Sequence, residues 1–151
     1  MSERHDPARL LLGHYPHKGQ VSTRFGDLDL YSHVNNVATA SLLEEGRSQF
    51  LIWLQSQPPQ PATPATPAKR MIAEVRIRYL AQIFHPATLV VGNRISQIGT
   101  RSFVVQQALF QDGRCLTLCD TVYVHTDGLK AIALDAGWRE RLQAVMDTVA
   151  R

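Results

Sequence analysis

Residues 34–54, VNNVATASLLEEGRSQFLIWL, constrain the fold most strongly. Val37, Ala40, Leu43, Phe50, Leu51 and Leu54 recur at three- and four-residue spacing, which predicts a helix from about Val34 to Leu54. Leu42 and Trp53 widen its apolar stripe. A helix so broadly apolar must be well covered, as when a curved sheet wraps around it.

The flanking sequence supplies such a sheet. Residues 18–25, KGQVSTRF, predict a first strand, with Gly26 turning the chain toward an acidic pair. Residues 55–69 carry most of the chain's eight prolines and no apolar periodicity, so they form a loop within the domain. In MIAEVRIRYL, Ala73, Val75, Ile77 and Tyr79 alternate with Glu74, Arg76 and Arg78, which predicts a second strand with one face buried. Three more strands follow, Thr88 to Gln97, Ser102 to Gln111 and Arg114 to His125, and Asp112-Gly113 is a strong hairpin signal between the last two. Residues 135–149 predict a C-terminal helix starting near Asp135. One helix followed by four successive strands argues for an α+β antiparallel sheet, because parallel pairing would need crossover helices.

Composition narrows the class of protein. A chain of 151 residues suits a single domain, 1–151, able to bury one core. With 44% hydrophobic and 19% charged residues it reads as globular, and its apolar runs are too short to span a membrane. The N-terminal stretch has no sustained apolar core or small-residue cleavage site, so a cytoplasmic location is expected. Cys115 and Cys119 fall in one predicted strand, roughly 13 Å apart, which is too far for a disulfide. The net charge of +3 would suit an anionic ligand. Basic residues form no run and are not interleaved with aromatics, so nucleic acid is not an expected partner.

The chemistry concentrates in residues 24–47, RFGDLDLYSHVNNVATASLLEEGR. A carboxylate here lies beside a helix start, whose unpaired N–H groups can receive a developing oxyanion, so acyl transfer or hydrolysis leads. Within it stand Asp27-x-Asp29, then Ser32-His33-Val34-Asn35-Asn36, then Glu44-Glu45-Gly46-Arg47. This resembles the signature of the hot-dog acyl-CoA thioesterases, the superfamily of 4-hydroxybenzoyl-CoA thioesterase, which runs D-x-D-x-x-G-H-V-N-N and then E-E-A-R. The resemblance extends through the order of elements to about Val124.

It implies a hot-dog fold, in which an antiparallel sheet wraps a long central helix. It further implies hydrolysis of an acyl-CoA or acyl carrier protein thioester by a homodimer or homotetramer with sites along the interface. No metal or redox cofactor is implied, and coenzyme A enters only as part of the substrate. Asp29 matches the catalytic carboxylate, as nucleophile or general base. Asn36 matches the residue whose backbone N–H is the oxyanion donor. His33 would orient water, polarise the carbonyl or protonate the leaving thiolate. Glu45 matches a functional Glu of the plant acyl carrier protein thioesterases of the same superfamily, and Arg101 and Ser102 match a turn that contacts CoA phosphates.

Other roles remain open beside these. Asp27 reads as a turn or hydrogen-bonding residue, Asp29 alone could merely cap the helix start, and Glu44 with Arg47 reads as a structural pair. The chain departs from the signature at Tyr31 and Ser32, at Thr39 in place of a frequent aromatic, and at Gly46 in place of Ala. Gly46 should cost about 1 kcal/mol unless close packing needs it. Two competing readings are an acyl-CoA-binding protein with little turnover and a metal or phosphotransfer site built on Asp27, Asp29 and His33.

Overall fold

Strands β1 (His17–Ser22), β2 (Lys69–Tyr79), β3 (Thr88–Ile98), β4 (Ser102–Gln111) and β5 (Arg114–Thr126) form one antiparallel sheet in the order β1-β3-β4-β5-β2. Helix α1 (Asn36–Gln55) packs on one face, and α2 (Ala136–Asp147) follows the last strand. The computed structural model describes residues 5–59 and 69–148. Most of the proline-rich segment, 60–68, lies outside the described residues, and so does the end of the expected C-terminal helix. This α+β architecture is the hot-dog arrangement expected from the sequence.

The predicted elements recur with small shifts. β1 ends at Ser22, because the chain turns into a short 3-10 helix at Phe25–Asp27. The helix starts at Asn36 because Asn35 is its N-cap, accepting the Ala38 N–H at 2.8 Å. Asp112 and Gly113 both have positive φ, 50° and 79°, the backbone that a two-residue hairpin requires. Asp135 caps α2 by accepting the Trp138 N–H.

The core has two halves along α1. Toward its start, Val34, Leu42 and Leu43 join Leu89, Val91 and Leu109. Toward its end, Phe50 and Leu54 meet Ile95, Phe103 and the α2 residues Trp138 and Leu142. Gly46 lies against Val91, so close packing does need a glycine there. Val37, expected on the apolar stripe, is 81% exposed; the face that packs is offset from it by one residue, beginning at Ala38.

Two further expectations need correction. Arg47 does not pair with Glu44. It is buried between the two apolar halves, where Nε donates to the Tyr123 hydroxyl (3.2 Å) and Nη1 to Gln107 Oε1 (3.1 Å). Gln107 Nε2 in turn donates to Asn93 Oδ1 (2.8 Å) and to the Leu43 carbonyl (3.1 Å). This polar chain ties α1 to β3, β4 and β5, and an axial slip of the helix would break several bonds at once. The second correction concerns β2, whose alternation does not bury a face within this chain. It is an edge strand, with Met71, Ile72, Val75 and Tyr79 all at least 42% exposed, and a bulge near Ala73 shifts its register.

On the opposite face of the sheet the N-terminal segment forms a strap. Tyr15, fully buried, packs with Ala108, Phe110 and Leu118. Its hydroxyl donates to the Arg9 carbonyl (2.8 Å), and Arg9 pairs with Asp120 (3.0 Å). Among the described residues no helix is long and apolar enough to cross a membrane.

Candidate active site

The loop between β1 and α1 is anchored at both ends. Thr23 exchanges hydrogen bonds with Ala87, its N–H donating to the Ala87 carbonyl (2.9 Å) and its hydroxyl accepting the Ala87 N–H (2.9 Å). At the other end the Val34 N–H donates to the Ile83 carbonyl (3.1 Å). Between these anchors Asp27, only 3% exposed, accepts the Arg24 N–H (2.8 Å) and the Arg24 guanidinium (3.1 Å). Its carbonyl accepts the Asn35 N–H (2.8 Å). Asp27 therefore holds the loop shape, the turn and hydrogen-bonding role read from the sequence, within the 3-10 turn Phe25–Asp27.

Asp29 is held differently. One carboxylate oxygen, Oδ1, accepts the N–H groups of Tyr31 (2.8 Å) and His33 (3.1 Å), while the Asp29 N–H donates to the His33 carbonyl (2.8 Å). These bonds close a tight turn in which Ser32 has φ +62°. That left-handed conformation accounts for the glycine that the signature carries at this position. Oδ2 has no hydrogen-bond partner among the described residues, and Asp29 is exposed. The carboxylate is fixed through one oxygen and free through the other.

At the helix start, Asn35 satisfies the Ala38 N–H, and the Thr39 hydroxyl donates back to the Asn35 carbonyl (3.0 Å). The N–H groups of Asn36 and Val37 have no acceptor among the described residues. Such first-turn donors, at the positive end of the helix dipole, favour negative charge. A groove of about 540 Å³ runs between loop and helix, lined among others by Arg24, Asp29, Asn36, Val37 and Ser41. Its lining joins the residue of the pinned carboxylate, Asp29, to Asn36 and Val37, the two residues whose first-turn N–H groups are unpaired.

The remaining expected residues do not line it. His33 adjoins the groove through its backbone, but its ring lies edge-on to Phe84 at 5.5 Å and does not line the groove. Glu45 is exposed one turn beyond Ser41 on α1. Arg101 and Ser102 adjoin Phe103, which packs on Phe50 and Leu54 at the far end of α1. The 20 residues of that helix span about 30 Å, so a single chain does not bring Arg101 or Ser102 to Asp29. Arg24 and Ser41 were not anticipated. An arginine three residues before a carboxylate was the available signal for Arg24; Ser41 gave none. No group of three or more His, Cys, Asp or Glu is gathered to hold a metal among the described residues.

The Thioesterase-like superfamily matches residues 23–143, and the chain belongs to that superfamily. No curated protein matches it. Among solved structures, PA5185 of Pseudomonas aeruginosa superposes with a TM-score of 0.77 at 24% identity, covering 94% of this chain and 99% of its own. A thioesterase of Thermus thermophilus, solved in complex with coenzyme A and Zn, gives a TM-score of 0.72 at 25% identity, covering 85% and 98%. YbaW of Escherichia coli gives 0.67 at 21% identity, covering 85% and 98%.

Proposed function

We propose that the protein hydrolyses an acyl-CoA or acyl carrier protein thioester to a free acid and a thiol. The observation that carries this reading is the groove lined by both Asp29 and Asn36, one oxygen of the Asp29 carboxylate and the Asn36 N–H being unpaired among the described residues. A thioester carbonyl placed there would direct its oxygen to the Asn36 N–H and its carbon to Asp29. Asp29 either attacks the carbon, expelling the thiolate and leaving a mixed anhydride for water to cleave, or takes a proton from the water that attacks. In both routes the backbone donor receives the oxyanion, a contribution of about 3 kcal/mol for such donors.

His33 and Glu45 remain candidates for handling the attacking water or the departing thiol. The coenzyme A complex of the Thermus relative supports a CoA ester as substrate. Contact between Arg101 or Ser102 and the nucleotide would then come from a second chain. The exposed apolar edge of β2 supports a homodimer as the working unit.

A kinetic screen of acyl-CoA chain lengths with wild type, Asp29→Asn and Glu45→Gln tests the reading. Asp29→Asn should lose at least about 100-fold in turnover, the low end of positioned acid–base catalysis. If Asp29→Asn keeps wild-type turnover while Glu45→Gln is dead, the helix Glu carries the chemistry. If wild type binds CoA esters without turnover, the protein is an acyl-CoA binder.

A further inference from the structure

Asn36 also borders a second hollow of about 260 Å³. Its walls include Val34, Ile83 and Tyr79, and Thr39 and Thr117 also line it. Val34 and Ile83 are buried, at 7% and 3% exposure, whereas Tyr79, Leu80 and Gln82, which also line it, are exposed. Its volume lies just below the 300–1,000 Å³ usual for ligand pockets, so it suits a small group and not a long alkyl chain.

Thr117 is the unusual member. It projects from β5 on the α1 side of the sheet, is 1% exposed, and its hydroxyl has no hydrogen-bond partner. A buried hydroxyl left unpaired is unfavourable, and native structures seldom keep one without a use. Thr39 donates its own proton to the Asn35 carbonyl, so its oxygen still has lone pairs to offer as an acceptor. Thr117 can rotate its O–H to donate or to accept. The Tyr79 phenol and the Asn36 and Gln82 amides also line the hollow, so its walls mix apolar and polar groups and match a compact aliphatic group that carries an oxygen.

We propose that this hollow receives the acyl group and that Thr117 selects short acyl chains bearing a hydroxyl or oxo oxygen. The inference rests on the thioesterase reading for its orientation. Asn36 lines both groove and hollow, so a carbonyl held at its N–H would send its thiol arm along the groove and its acyl arm into the hollow.

The test compares butyryl-, 3-hydroxybutyryl-, 3-oxobutyryl- and octanoyl-CoA on wild type, Thr117→Val and Thr117→Ser. Val keeps the branched shape and removes the hydroxyl; Ser keeps the hydroxyl. Wild type should favour at least one oxygenated C4 ester over butyryl-CoA by about fivefold or more in kcat/KM, the scale of one net hydrogen bond, and octanoyl-CoA should be poorest. Thr117→Val should bring the oxygenated-to-butyryl ratio near 1, and Thr117→Ser should restore it. The same ratios are measured as Kd by calorimetry on Asp29→Asn, which separates pocket from chemistry. Turnover with no oxygen preference, or a preference that survives Thr117→Val, overturns the pocket assignment and leaves hydrolysis standing. A binding preference lost in Thr117→Val without any turnover in wild type upholds the pocket and removes hydrolysis. Neither binding nor turnover removes both.

Discussion

Gly46 in the middle of α1 faces Val91 on β3 so closely that an added Cβ would lie 2.6 Å from Val91 Cγ1 and 2.9 Å from Cγ2. Val91 is fully buried and branches at its own Cβ, so it has no flexible end to swing aside. Gly46→Ala gains about 1 kcal/mol of helix propensity and meets an overpacking cost of about 1–3 kcal/mol. The variant should unfold several degrees below wild type in a thermal melt. An unchanged or raised Tm would mean that α1 can lift from β3 without loss.

Ser32 at φ +62° occupies backbone that costs an L-residue about 1–2 kcal/mol. Ser32→Gly removes that cost but adds unfolded-state entropy of about 0.5–1 kcal/mol. A net gain of up to about 1.5 kcal/mol is expected, read as a higher midpoint in urea. A lower midpoint would show that the Ser32 side chain contributes more than its backbone costs.

The β2 edge should bury itself against a second copy, so light scattering at micromolar concentration should give at least twice the 16.9 kDa chain mass. Replacing Ile72 and Val75 with lysine puts charge on that edge. The double variant should elute nearer monomer mass and lose turnover together with association. A fully active monomer would place the whole site within one chain.

His125 is 2% exposed, and neither ring nitrogen has a hydrogen-bond partner. Burial lowers its pKa below the ordinary value, opposed by Asp135, whose Oδ2 lies 3.7 Å away, and assisted by Arg70. The unfolded chain therefore takes up this proton first. The resulting stability is complete above about pH 6.5 and declines as pH falls toward the lowered folded value. His14 and His17, also lowered mainly by burial, act in the same direction. His125→Phe should flatten part of the acid limb in urea titrations from pH 7 to 5; an identical slope would assign that limb to other groups.

Periodicity and turn chemistry made the helix, the strands and the Asp112-Gly113 hairpin legible in the sequence, because those signals are local. Burial of β2 was not legible, since a period-two pattern looks the same whether the cover is this chain or another. Arg47 was misread from its three-residue spacing to Glu44. The same spacing rule sets it near Leu43, Phe50 and Leu54, on the packed face, and an apolar stripe gives no sign that a cation can be seated within it. Asp29 and Asn36 were legible only through the match to the family signature, and the helix start expected near Val34 falls at Asn36 because Asn35 caps it. Thr117 was not legible, because it meets Asn36 only through the pairing of β5 in the sheet, some 80 residues later in the chain.

The strap across the back of the sheet limits how copies of this protein can assemble. Tyr15 fills the site over Gly92, where an added Cβ would fall 2.5 Å from its ring, and Arg9 is engaged with Asp120 beside it. The middle of that face is therefore already occupied from within the chain. A back-to-back stack of two sheets would have to peel the strap away, separating a fully buried aromatic from its neighbours and exposing an ion pair. Any assembly larger than two chains should therefore grow through other surfaces, such as the exposed sides of the helices or the strand edges.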